Sequence, residues 1–192
     1  MPRSTGRLVT DTEPVSGTDS TRPARKFLPG PAVLISPMRR RHLRGVMAIE
    51  NATNPRPWTE ALFLGELRMP TSRIYNVAMD PHRVLGYCGL MIITDEGHIT
   101  NVAVDNSARR MGIAKRLIGR TIRQARERGV TSLTLEVRVS NKGAQELYRR
   151  FGFAPGGIRP RYYNEPTEDA LIMWAHDVDA PEYEERLKEL NV

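Results

Sequence analysis

Two stretches of this chain carry residues whose types and spacing could do chemistry. The first is Arg109-Arg110-Met111-Gly112-Ile113-Ala114-Lys115, which follows an apolar run ending at Asp105 and opens an abrupt helix. A helix that starts this way leaves its first N–H groups without intrahelical partners at the positive end of its dipole, and Gly112 lets the backbone approach a ligand closely. Those groups suit a phosphate, so a pyrophosphate-bearing cofactor is the expected ligand. The second stretch is Thr131 to Arg138, where a period of two places Leu133, Leu135 and Val137 on one face and Thr134, Glu136 and Arg138 on the other. A carboxylate in mid-strand is costly unless it is paired or solvated. Glu136 therefore either pairs with Arg138 on its own face or lines a wet cleft.

The elements that must hold these residues follow from local signals. Ala32 to Ile35 reads as a short strand, and Ser36-Pro37 as an N-cap followed by proline at the start of a helix running to about Asn51. Thr59-Glu60 restarts a helix that Pro70 closes. Arg73 to Met79 and Arg83 to Thr94, joined by Asp80-Pro81-His82, read as an antiparallel hairpin, and a turn at Asp95-Glu96-Gly97 leads into the strand that ends at Asp105. Ile113, Leu117, Ile118, Ile122 and Ala125 recur at helical spacing up to Gly129. Asn141 to Phe151 is a further helix, and two extended segments follow, the second Ala170 to Ala175. This order predicts an α/β domain whose central sheet is mixed, mostly antiparallel and flanked by helices.

Composition narrows the class. Residues 1–31, rich in Ser, Thr, Pro, Gly and Arg, read as a disordered leader, 32–177 as the folded domain and 178–192 as an acidic tail. The folded part carries 22 basic against 14 acidic side chains, a field that attracts polyanions or simply keeps the surface soluble. The single cysteine, Cys88, lies in an apolar run and reads as a small core residue, which excludes an internal disulfide. No membrane span or signal peptide is visible, so a cytoplasmic protein is expected. His42, His82, His98 and His176 are scattered, with no ligand spacing and no carboxylate partner at a recognised offset, and no metal site is expected.

Arg109, Gly112 and Ala114 fill the acetyl-CoA-binding signature of the GNAT acetyltransferase superfamily, in which Gln or Arg, two variable residues, Gly, one variable residue and Gly or Ala follow one another. Pro57-Trp58-Thr59, Asn101-Val102-Ala103-Val104, Leu135-Glu136-Val137-Arg138 with Ser140-Asn141, and Arg161-Tyr162-Tyr163 with Glu168-Asp169-Ala170 together resemble the RimI family, the ribosomal-protein-alanine N-acetyltransferases. The resemblance spans about residues 33–177. It implies the GNAT acyltransferase fold, acetyl-CoA as co-substrate and acetylation of the N-terminal alanine of a ribosomal protein, by analogy small-subunit protein eighteen.

Residue by residue, the resemblance makes Glu136 the general base and Tyr148 the general acid. It makes Asn141 a CoA contact, Val102, Ala103 and Val104 the strand that holds the acetyl and pantetheine part, and Arg109 to Lys115 the pyrophosphate loop. Trp58, Tyr162 and Tyr163 would line the peptide groove. Tyr148, beside Leu147 and three residues before Phe151, is equally readable as a packed amphipathic aromatic, and the three groove residues as rim or core aromatics. The expected partners are a ribosomal protein N-terminus and a weak electrostatic contact with the ribosome or RNA, with the enzyme itself a monomer. The competing readings are a broader N-terminal or lysine acetyltransferase and a non-catalytic CoA- or RNA-binding module.

Overall fold

The computed structural model describes residues 33–192, and the expected leader lies outside the described residues. In chain order the elements are β1 (Leu34–Pro37), α1 (Leu43–Thr53), α2 (Glu60–Leu67), β2 (Arg73–Met79), β3 (Val84–Ile93), β4 (Glu96–Val104), α3 (Ile113–Arg126), β5 (Ser132–Arg138), α4 (Lys142–Arg150), β6 (Ala154–Asn164), β7 (Thr167–Ala175) and α5 (Pro181–Glu189). The strands form one sheet in the order β1-β2-β3-β4-β5-β7-β6, in which only the β4–β5 pair is parallel. This is the mixed, mostly antiparallel sheet that the sequence predicts.

Both faces of the sheet are covered, so its central strands are apolar without strict alternation. On one face α3 buries Ile113, Leu117, Ile118 and Ile122 against Ile74, Leu85, Leu90, Leu133 and Leu135. On the other, Leu43, Val46 and Ile49 of α1 and Phe63 of α2 pack on Tyr75, Val77 and Tyr87. Phe63 stands edge-on to both tyrosines, with ring centroids 6.3 and 5.6 Å away, a favoured aromatic geometry.

The feature that matters for function is where β4 and β5 part. They pair only at Glu96↔Ser132, Gly97↔Leu133 and His98↔Thr134, while β4 runs on to Val104 and β5 to Arg138. On the other side of β4, Gly89 pairs with Asn101 but Leu90 with Ile99, so Thr100 is an extra residue bulged out of the ladder. A bulge bends its strand and sharpens the local twist. Here it turns β4 away from β5 two residues beyond the last paired position, His98, and opens a V at their carboxyl ends.

Local signals mark most boundaries. The Thr59 side chain accepts from the Leu62 N–H as the N-cap of α2, and Gly129, at φ 81°, follows the end of α3. Two expectations are corrected. Ser36 and Pro37 do not start a helix but pair with Val77 and Asn76 at the sheet's edge, where a proline need not donate. The helix begins later, through a 3-10 turn at Arg40–His42 where the His42 ring accepts from the Arg39 N–H at 3.0 Å. Residues 178–192 are acidic but not a loose tail: Val178, Tyr183 and Leu187 are buried, and Glu184 bridges Arg123 and Arg126 of α3.

Candidate active site

Glu136, in the middle of β5, is the centre of a cleft of about 320 Å³ on the α1 and α2 face of the V. Only 9% of its side chain reaches solvent. Its Oε2 lies 2.6 Å from Nε2 of His98 on β4, and its Oε1 lies 2.9 Å from a guanidinium nitrogen of Arg159 on β6. The pairing with Arg138 is not made. Arg138 instead binds Glu168 at 3.1 Å, donates to the carbonyls of Glu165 and Pro166, and lies 4.0 Å over the ring of Tyr163. Of the two readings of Glu136, the structure takes the cleft.

The walls of the cleft come from three places. Trp58 is held from below by Glu50, whose buried carboxylate accepts from the Trp58 N–H at 2.9 Å, from the Asn54 amide at 3.0 Å and from the Tyr87 hydroxyl. Three donors satisfy a charge that burial would otherwise penalise. Tyr162 and Tyr163 come from β6, whose register slips between Arg159↔Ala170 and Tyr163↔Glu168 and leaves residues 160–162 outside the ladder, with Tyr162 at the cleft. The Tyr163 hydroxyl donates to the Glu136 carbonyl at 3.3 Å, and burial pushes its phenol up to about 12. Tyr162 stands edge-on to it at 5.1 Å with its phenol raised by burial. Asn101, the residue after the bulge, completes the lining with a buried Oδ1 that has no hydrogen-bond partner among the described residues.

Among the remaining sequence-predicted residues, Ala103 packs against the cluster under α1 and α2. Val102, Val104, Ile113 and Tyr148 lie across the sheet, in the apolar cluster under α3. Tyr148 and Glu136 therefore sit on opposite faces of the opening between β4 and β5. Tyr148 is 8% exposed and edge-on to Phe153 at 5.8 Å, and burial pushes its phenol well above the ordinary value, so it keeps its proton at neutral pH. Asn141 caps α4, its Oδ1 accepting from the Ala144 N–H at 3.1 Å. Buried Gln145 ties α4 to the end of β5 by donating to the carbonyls of Arg138 and Val139.

The α3 N-terminus has the character of an anion cradle. Arg110 and Gly112 both adopt left-handed backbone, φ 66° and 74°, and Gly112 occupies the N-cap with no side chain to satisfy the following amides. The first turn of α3 contains no acidic residue, and Arg109, Arg110 and Met111 are exposed around it. The cradle is kept against β4 by Gly86, where a Cβ would fall 2.8 Å from the Ala103 carbonyl oxygen and 3.2 Å from side-chain carbons of Val104 and Ile113. Asp105 accepts from the Ser107 N–H and pairs with Arg83 at 3.4 Å, fixing the intervening turn. The Lys115 ammonium is committed elsewhere, to the Leu190 carbonyl at 2.6 Å, so only its backbone faces the cradle's task.

Three residues escape the sequence reading. His98 has its carboxylate 38 positions away, and only the parallel pairing of β4 with β5 brings the two together. Arg159 depends on the β6–β7 register. Glu50 alone left a signal, since it falls on the apolar spacing of Leu43 and Val46 in α1.

Comparison with known proteins agrees with this architecture. The model of the Acetyltransferase (GNAT) family matches residues 43–153. The ribosomal protein bS18-alanine N-acetyltransferase of Escherichia coli K12 is 32% identical over 142 residues, 72% of this chain and 94% of that protein. A Bacillus subtilis protein provisionally given the same name is 40% identical over 138 residues, 71% of this chain and 91% of its own. The crystal structure of the E. coli ribosomal-protein-S18-alanine N-acetyltransferase superposes with a TM-score of 0.71 at 29% identity, covering 79% of this chain and 97% of that one. With a split β4–β5 pair, an uncapped α3 behind it and relatives of this identity and coverage, the chain belongs to the GNAT family of acetyltransferases.

Proposed function

We propose that this enzyme transfers acetyl from acetyl-CoA to the N-terminal alanine of a ribosomal protein, bS18 by analogy with its relatives, in the cytoplasm and by direct attack within a ternary complex. The observation that carries the reading is Glu136: a nearly buried carboxylate facing an aromatic-walled cleft, on the face opposite a protonated buried phenol. The residues fit the co-substrate. Free amides of Ile113, Ala114 and Lys115 with Arg109, Arg110 and Met111 around them would take the diphosphate, Val102, Ala103 and Val104 would offer unpaired strand edge to the pantetheine arm, and Asn141 would meet it at the start of α4.

When bound, acetyl-CoA supplies a thioester carbonyl for the amine to attack and a thiolate to leave. Glu136 takes the ammonium proton, directly or through a water in the cleft, and Tyr148 holds the proton that the departing sulfur requires. An α-amino group has a pKa near 8 and a lysine side chain one near 10.4, so neutralising lysine at pH 7 costs about 3 kcal/mol more, and one carboxylate suffices for the N-terminal amine. Trp58, Tyr162 and Tyr163 would grip the first peptide residues.

The test is incubation with acetyl-CoA and peptides beginning with Ala, Ser or Met, together with one whose N-terminus is blocked and whose lysine is free. Mass spectrometry should find the acetyl group on the α-nitrogen of the alanine peptide. Acetyl on the lysine peptide alone, or trapped on the enzyme when peptide is withheld, would overturn the reading.

A further inference from the structure

We propose that His98 is the positioning residue for the carboxylate that deprotonates the substrate, an inference that rests on the assignment of Glu136 as base. An ionised carboxylate has only acceptors to offer, so the imidazole nitrogen 2.6 Å from Oε2 must carry the hydrogen and donate it. That distance belongs to charge-assisted hydrogen bonds.

His98 is built to hold a position. It is the last residue of β4 paired on both sides, to Met91 of β3 and Thr134 of β5, and the bulge that opens the V begins only two residues later. The ring therefore projects from the last doubly paired position of a diverging strand and reaches across to β5, where Glu136 stands two residues beyond His98's own partner. A site on a strand so fixed is more exact than one on a loop.

No neighbour can replace it. Arg138, on the same face of β5, is spent on Glu168 and the carbonyls of the β6–β7 turn. Arg159 reaches the other oxygen from a side chain 52% in solvent, where an ion pair holds geometry weakly. Without His98 the carboxylate would turn toward water and away from the amine, and a misplacement of about 1 Å is enough to cost about 100-fold in rate.

The experiment is a double-mutant cycle with acetyl-CoA and a peptide beginning with alanine. His98→Ala should lower kcat by about 10- to 100-fold, with the KM for acetyl-CoA unchanged. His98→Gln, whose amide nitrogen stands near the place of Nε2, should recover most of the loss. His98→Ala added to Glu136→Gln should cost nothing further, because the imidazole would have no carboxylate left to hold. Full activity in His98→Ala while Glu136→Gln is inactive, or independent losses in the double variant, would overturn the role of His98. Full activity in Glu136→Gln would instead overturn the assignment of the base itself.

Discussion

The guanidinium of Arg159 rests 2.9 Å from Oε1 of Glu136, although half the arginine side chain is in solvent and the glutamate is almost withdrawn from it. With Glu136 as the proposed base, the substrate's N-terminal ammonium would come to the same carboxylate as a cation. The arginine therefore competes with it for the outer oxygen while His98 holds the inner one. Arg159→Ala should lower the peptide KM by about 2- to 5-fold at low ionic strength, in line with one exposed ion pair, and leave the KM for acetyl-CoA alone. Steady-state kinetics over a salt series reads this directly, and a peptide KM that rises would mean that Arg159 helps to hold the peptide.

The two faces of the β4–β5 opening predict separable losses. Glu136→Gln and Tyr148→Phe should each reduce kcat by about 100- to 10,000-fold, the loss expected for removing the proposed general base or the proposed general acid. Neither touches the α3 cradle, so CoA binding measured by calorimetry should be unchanged in both. Full turnover in Tyr148→Phe would leave that phenol as a packing group beside Phe153.

The parts of this site that were legible in the sequence are those set by neighbours along the chain. Alternation from Leu133 to Val137 is enough to expose Glu136 on a polar face, Thr59 caps its own helix, and Gly112 marks its own turn. What was not legible depends on which strand lies beside which. His98 meets Glu136 only through a parallel pair formed across α3, and Arg159 only through a bulge in β6. Ser36-Pro37 carried the local chemistry of a helix start, yet an edge strand tolerates the same proline because the missing N–H faces no partner.

The Glu50 carboxylate predicts a link between the core and the cleft. It is 1% exposed and holds the Trp58 backbone and the Tyr87 hydroxyl together. Tyr87→Phe leaves it one donor short, which should cost about 1–3 kcal/mol in urea unfolding. The peptide KM should rise with it, because the segment that carries Trp58 hangs from the same carboxylate. An unchanged midpoint would mean that the phenol is not a donor the carboxylate depends on.

Cys88, in the middle of β3, is fully buried, and burial pushes its thiol up to about 12. Only thiolate reacts at a useful rate, so a disulfide reagent at pH 8 should leave the folded protein unmodified and should titrate one thiol in guanidinium. The same shift gives a sign for stability. The unfolded thiol ionises near pH 8.5, so its contribution is intact below that value and is lost as pH rises toward 12. Rapid labelling of the native protein would show that β3 opens far more readily than its packing implies.

The C-terminal segment gives the sharpest contrast between composition and packing. Leu187 is fully buried and Tyr183 donates to the Phe151 carbonyl at 2.6 Å, while Lys188 and Glu185 form a pair that is mostly in solvent. A helix whose acidic face is wet and whose apolar face closes the cluster under α3 must share the core's cooperativity. Leu187→Ala should therefore cost about 2–5 kcal/mol, the range for emptying a buried leucine site. Lys188→Ala, one residue further, should leave the denaturation midpoint where it was, because exposed pairs on a helix surface hold little. Because α5 also fixes the carbonyl of Leu190 to Lys115 at the start of α3, the leucine variant should weaken CoA binding as well as stability. Equal midpoints for the two variants would show that α5 melts apart from the rest of the fold.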